Sequence, residues 1–318
     1  MKIAYFFIVM IAALWVRADE MQLNQQDRYW FDGVVQSDLS FGAIATQPYI
    51  MQPHYIRHGT QYLIKALSCL GEPEELHLPW RVLYFGVFAS LLLMLLIRHN
   101  PPAIVWIVLP VYYFLGWHTF SVLYRHGYAD YYGIPILGYL ICCLVRNKYL
   151  DTLLVLVSLL WIETGVVLAV GLFFLRGDKY TMHMTVALTV AYLLYRGYIL
   201  DSMAMEFVPS NVWESFIHSY LGGGLNAIPS IADGCLIKYF CWVFGSVCMK
   251  VWMFWYFIKY LADTRFHRSL VAMSIACAAI SSVNGSCMAT YMMQFALPLV
   301  LIIPIVRGRS SSHQLAGR

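Results

Sequence analysis

Charge is scarce in this chain. Asp, Glu, Lys and Arg together make up 12% of its 318 residues, against about 25% in a typical soluble domain. So little charge excludes a water-exposed surface of ordinary composition. The formal net charge is only +4, and the basic residues fall at the ends of apolar runs, so no nucleic-acid partner is expected. Other absences narrow the field further. None of the eight cysteines stands in a Cys-x-x-Cys pair or a zinc-ligand spacing. Most lie inside apolar runs, where cysteine packs as a small hydrophobe. Gly222-Gly223-Gly224 is no phosphate loop, since no strand precedes it and no Lys-Ser/Thr follows. There is no internal repeat, no low-complexity tract and no soluble domain.

What the chain has in quantity is hydrophobic sequence, 60% of it. Apolar segments fall near 3–16, 81–97, 103–121, 133–145, 151–175, 181–200, 237–258, 269–283 and 288–306. Runs of about 18 apolar residues can cross a hydrocarbon core of roughly 30 Å. In lipid each must be helical, because an open strand leaves backbone groups unpaired. The expected fold is all-α: a polytopic membrane helix bundle of about 8–9 transmembrane helices. It forms one membrane domain over 1–306, followed by a basic cytoplasmic tail over 307–318. The first segment has signal-peptide features: Lys2, a short apolar run and the small residue Ala18. A retained first helix fits the topology better.

Orientation follows from the Lys/Arg bias. Basic groups occur at Arg98-His99, Arg146-Lys148, Arg176-Lys179, Arg265-His267-Arg268 and Arg307-Arg309. Placing all of them in the cytoplasm puts the stretches 17–78 and 201–234 outside. One segment then fails a parity test, because only 151–175 separates two groups on the same side. Either one basic pair lies outside, or 151–175 forms a re-entrant hairpin, which is the reading favoured here. Glu163-Thr164-Gly165 supplies the break, since Gly weakens a helix and an intramembrane acid needs a wet or paired site.

The stretch 17–78 is the longest polar one, and it holds eight of the seventeen acids: Asp19, Glu20, Asp27, Asp32, Asp38, Glu72, Glu74 and Glu75. A carboxylate held above a bilayer can act as a general base toward a hydroxyl. It can also hold a sugar's hydroxyls or a divalent metal. Solvation explains any single acid here better than function does, whereas for the loop as a whole function outweighs it. The same stretch contains Tyr55, Arg57 and His58. An arginine fork suits a phosphate, although Tyr and Arg also serve as interfacial anchors. Asp130 sits at a helix mouth, where the helix dipole favours an acid by roughly 0.3–1 kcal/mol. Glu163 lies inside an apolar segment, where an unpaired acid costs about 2.5–3.5 kcal/mol. Lys250 is a possible partner for it.

The order of these features resembles the GT-C superfamily of integral-membrane glycosyltransferases. A short first helix leads to an acidic outer loop with Phe31-Asp32-Gly33. Then come Tyr55-Ile56-Arg57, Asp130 at a helix entrance, Glu163-Thr164-Gly165, and Ala296-Leu297-Pro298 in the last span. The resemblance implies transfer of a sugar from a polyprenyl-phosphate donor to a glycan, lipid or protein acceptor. The reaction would take place on the extracytoplasmic face of a plasma or inner membrane. It implies Asp32 as the catalytic acid, with Asp19 second and Asp130 in support. It implies Arg57, His58, Tyr55 and Glu163 in substrate binding. The sequence departs from the family pattern in two places. The family's first acid lies close to helix one, which favours Asp19 or Glu20, and Ile162 stands where the family commonly has Arg. No cofactor is called for, and no metal site is assigned.

Three other classes compete, one of them a purely structural membrane protein, which would not need so long an acid-rich loop. A transporter or flippase for lipid-linked precursors would show a matching break in each of two halves; this chain has one break. A membrane acyltransferase would use a histidine deep in the bundle, such as His118 or His183.

Overall fold

A computed structural model of the protein describes residues 1–16, 32, 34–35, 58–115, 133–161, 165–202, 265–284 and 299. Among the described residues the chain is all-α, with nine helices. They are α1 (Lys2–Val16), α2 (His58–Ser68), α3 (Pro73–His99), α4 (Ala103–Leu115), α5 (Gly133–Leu144), α6 (Lys148–Trp161), α7 (Gly165–Arg176), α8 (Lys179–Ser202) and α9 (Arg265–Asn284). Among the described residues one stretch, Glu75–His99, is long and apolar enough to cross a membrane. The apolar segments 237–258 and 288–306 lie outside the described residues, apart from Leu299.

The helices form two groups joined through α3. In the first, α1 buries Phe6, Val9 and Ala13, a stripe at helical spacing, against α4 and α3. Phe114 is the centre of an aromatic cluster, with Phe6 at 5.3 Å and Phe85 at 5.2 Å between ring centroids, both edge-on. Edge-to-face pairs add about 0.5–1.5 kcal/mol beyond the area they bury. In the second group, α7 is the hub, packed on α5, α6, α8 and α9. Small residues allow these close approaches. A Cβ on Gly171 would lie 2.6 Å from Met273 Sδ of α9, and one on Gly138 would lie 2.9 Å from Leu168 Cδ2. Ser269 Oγ donates to the Gly171 carbonyl at 2.6 Å. With that proton spent, the Tyr139 hydroxyl, 3.0 Å from Ser269 Oγ, is the donor of the second bond.

The segment 151–175 folds back on itself. Helices α6 and α7 pack together as the two legs of a hairpin, with residues 162–164 between them. A Cβ on Gly165 would collide with the Ser158 carbonyl, so only glycine lets the second leg start this close to the first. At the other end the legs are pinned by a buried ion pair. Arg176 Nε donates to Asp151 Oδ2 at 2.7 Å and Arg176 Nη2 to Asp151 Oδ1 at 2.8 Å. The same Nη2 donates to the carbonyls of Cys142 at 2.9 Å and Val145 at 2.7 Å. Burial alone would lower the Arg176 pKa; the hydrogen bond and charge of Asp151 more than reverse this and raise it.

Local signals place the helix ends. Asn147 Oδ1 accepts from the backbone N–H groups of Tyr149 and Leu150, capping α6. Asp178 Oδ1 accepts from Thr181 N at 2.9 Å, capping α8. Asn100 adopts a left-handed conformation, φ 38°, and its N–H closes α3 on Leu96 O at 2.9 Å.

The stretch 17–78, expected as a loop, carries α2 and the start of α3. Helix α3 begins at Pro73 rather than near 81. Proline at the first helical position forfeits no hydrogen bond, whereas Pro79 inside the helix does. Glu74, Glu75 and His77 keep the apolar run from registering there.

Two outcomes follow for stability. Asp151→Ala strands a buried guanidinium and should cost about 3–5 kcal/mol, read by chemical denaturation in detergent. Asp151→Leu combined with Arg176→Met should cost far less. The Asp178 carboxyl is held below its ordinary value of 3.8, first by the Thr181 backbone bond. Its folded pKa is depressed, so its contribution is complete above 3.8 and lost as pH falls through the lower folded value. Asp178→Ala should therefore cost about 0.5–2 kcal/mol at neutral pH. The gap to wild type should close below pH 3.8, while the gap between Asp178→Asn and Asp178→Ala stays constant.

Candidate functional site

The two ends of the bundle differ in chemistry. At one end lie the C-termini of α3, α5 and α7 and the N-termini of α1, α6, α8 and α9. The contacts are explicit. Arg98 Nη1 donates to Leu144 O, Lys2 Nζ to Asn100 Oδ1 at 3.2 Å, and Arg265 Nη1 to Arg176 O at 2.6 Å. The Lys148 ammonium lies 5.4 Å from the Tyr180 ring centroid. The basic groups at 98–99, 146–148, 176–179 and 265–268 thus meet at one end, although they are far apart in sequence.

Helix α2 lies at the other end. A Cβ on its Gly59 would be 2.8 Å from Trp161 Cε3 and 3.3 Å from Trp161 Cα. Trp161 ends α6, about 15 Å along the helix from Asp151 at 1.5 Å per residue. Lys65 of α2 donates from Nζ to the Val35 carbonyl at 2.6 Å. Val34 and Ile64 are both fully buried. The described part of the acidic stretch is thereby anchored to α2, and α2 rests on the hairpin leg. Asp32 lies two residues before the buried Val34, in a helical turn and exposed to solvent.

Of the expected site residues, Asp32 is the one whose side chain is described. His58 begins α2, but nothing of its side chain is described. Asp19, Tyr55, Arg57, Asp130 and Glu163 lie outside the described residues, as do Lys250, His118 and the stretch 203–234. His183, the histidine considered for acyl transfer, is exposed. Its Nδ1 lies 2.5 Å from the carbonyl of Lys179, one turn back in α8, so it packs locally and is not a deep catalytic base.

One residue escaped the sequence reading. Arg81 is 1% exposed, the largest fully buried side chain among the described residues. It stands 17 residues before Arg98, about 26 Å away along α3, and so at the α2 end. Gln61 of α2 is fully buried as well. Unlike Glu163, which lies inside an apolar segment, Arg81 stands at the edge of one. It was passed over because long basic side chains at span ends are ordinarily assigned to snorkelling.

Among the described residues no group of three or more His, Cys, Asp or Glu side chains could hold a metal. No family model, curated protein or solved structure matches the chain, so function is argued from its own residues.

If α2 is seated as described, Gly59→Leu should lift it from Trp161. Limited trypsin digestion of the purified protein should then cut at Lys65 severalfold faster than in wild type. Gly71→Ala is the control, because its added Cβ meets the end of the flexible Glu75 side chain. Equal rates in Gly59→Leu and wild type would refute the docking.

Proposed function

We propose that this chain is a multi-pass integral-membrane glycosyltransferase. It transfers a sugar from a polyprenyl-phosphate donor to an acceptor at the extracytoplasmic surface. The observation that carries the reading is how side chains are distributed. Five helices turn apolar side chains outward: α1 with Phe7, Ile8 and Ile11, α3 with Leu83, Val87 and Met94, α4 with Ile104, Ile107 and Val111, α6 with Leu153, Leu156 and Leu160, and α8 with Val186, Val190 and Leu194. Water would disfavour so much exposed apolar surface; hydrocarbon would not. Cations collect at one end, as the positive-inside bias requires of a cytoplasmic face. Asp32 is tied to α2, whose start rests at the other end.

The chemistry proposed needs little machinery. A sugar on a phosphate leaving group is already activated, so positioning and one base suffice. A polyprenyl chain would keep to the lipid beside the outward apolar faces and bring its phosphate to the α2 end. Asp32, exposed and held by its buried neighbour, is suited to accept the acceptor's proton. Arg57, one residue before α2, is suited to the donor phosphate.

The test is transfer of labelled sugar from a polyprenyl-phosphate donor by the full chain in detergent or lipid. Asp32→Asn should lose about 10²–10⁴-fold in rate, the usual contribution of a general base. Arg57→Ala should lose activity with a raised donor KM. Wild-type rates in both variants, or no transfer by the wild type with any lipid-linked donor, would overturn the proposal.

A further inference from the structure

A cavity of about 230 Å³ opens at the basic end, remote from Asp32 and α2. Its polar lining is His99, Arg146, Arg176 and Arg265. Among the described residues no carboxylate lines it. The two described acids at this end are Asp151, paired with Arg176, and Asp178, which accepts from Thr181 and also feels the charge of Arg146. The three arginines are not equivalent. Arg176 spends its donors on Asp151 and on two carbonyls, and so forms a fixed wall. Arg265 gives one N–H to the Arg176 carbonyl, which orients the guanidinium, and spends no other donor on a described residue. Arg146 makes no hydrogen bond to any described residue. Cys142, Cys143, Leu175 and Phe266 complete the walls.

We infer that this cavity is a binding site for a phosphate-bearing anion, separate from the proposed transfer site. Asp151 neutralises Arg176, and burial with the neighbouring Arg98 lowers the pKa of His99, so its imidazole adds no charge at neutral pH. Arg146 and Arg265 bring to the space two guanidinium charges that no described ion pair takes up. Guanidinium forks match phosphate oxygens in geometry. The apolar wall excludes water from one side, which strengthens the attraction. The cavity has room for a phosphate ester and several waters, at roughly 30 Å³ per water. The same chemistry is offered by a soluble phosphate and by a phospholipid headgroup at a cytoplasmic surface.

Two arms on the purified full chain distinguish these sources. Calorimetric titration with inorganic phosphate and pyrophosphate reads the soluble form. Native mass spectrometry from phosphatidylcholine nanodiscs containing phosphatidic acid counts retained anionic lipid; this arm alone rests on the membrane reading. Wild type should bind at least one probe saturably. Arg146→Ala with Arg265→Ala should weaken that binding by about tenfold or more, since a hydrogen bond to a charged group is worth over a decade of affinity. Arg146→Gln alone, at a side chain with no described hydrogen bond, should weaken it severalfold without lowering Tm. Lys148→Ala, at the same end but outside the cavity lining, should bind as wild type. Absence of saturable binding of either probe by wild type would overturn the site. So would unchanged affinity in the arginine variants, or equal weakening by Lys148→Ala, which would indicate a diffuse surface charge. Neither arm measures sugar transfer, so the two proposals fail independently.

Discussion

Arg176 carries its charge into the bundle, and the second helix group is arranged around satisfying it. A guanidinium 8% exposed is tolerable only when paired and hydrogen-bonded. Asp151 supplies two oxygens from α6, and Cys142 in the last turn of α5 and Val145 just after it supply two carbonyls. Three helices are therefore tied at one point, and the carbonyl of Arg176 ties a fourth through Arg265. This knot sets the direction of the hairpin. A chain entering α6 beside Asp151 has to return to the same level within 25 residues. Gly165 then makes the return sterically possible, and Gly171 lets α9 close over the outside of the second leg.

The polar interior above that knot is sparing and linked. Tyr139, Ser269 and the Gly171 carbonyl form a chain of bonds across α5, α9 and α7, and most of the other side chains buried there are apolar. The contrast with the periphery is consistent: side chains turned outward on most helices are as apolar as those turned in. Among the described residues charge is kept to the ends, the buried Arg81 lying at the α2 end. Such a distribution leaves the ends as the places where polar ligands can be handled, and the two ends are chemically unlike.

Much of this was legible in the sequence, for identifiable reasons. Apolar runs near 3–16, 81–97, 133–145 and 181–200 became α1, most of α3, α5 and α8 because periodicity and length speak for themselves. The fold-back of 151–175 was legible from two facts, a Glu-Thr-Gly step within the run and basic residues at both of its ends. The partner of Arg176 was not legible, since nothing local in Lys148-Tyr149-Leu150-Asp151 distinguishes a buried acid from a solvated one. Helix α2 was hidden for a related reason: its sequence, HGTQYLIKALS, is too mixed to register as a span and falls within the stretch expected as a loop. Of the candidate site, the tethering of the acidic stretch through Lys65 and Val34 needed tertiary contacts. An acid in a polar run carries no signal of whether its neighbour is buried, and Asp32 stands beside one that is.

The hairpin's two legs also constrain how the chain could change in length. Asp151 and Arg176 fix the feet, and Gly165 against Ser158 fixes the crossing. Residues inserted into one leg would shift its foot by about 1.5 Å apiece and rotate it by 100°, breaking the clamp unless the opposite leg gained as many. Length in 152–161 and length in 165–175 are thus a single degree of freedom. A homologue with a deeper or shallower fold-back should carry paired insertions or deletions, one on each side of the Glu-Thr-Gly step.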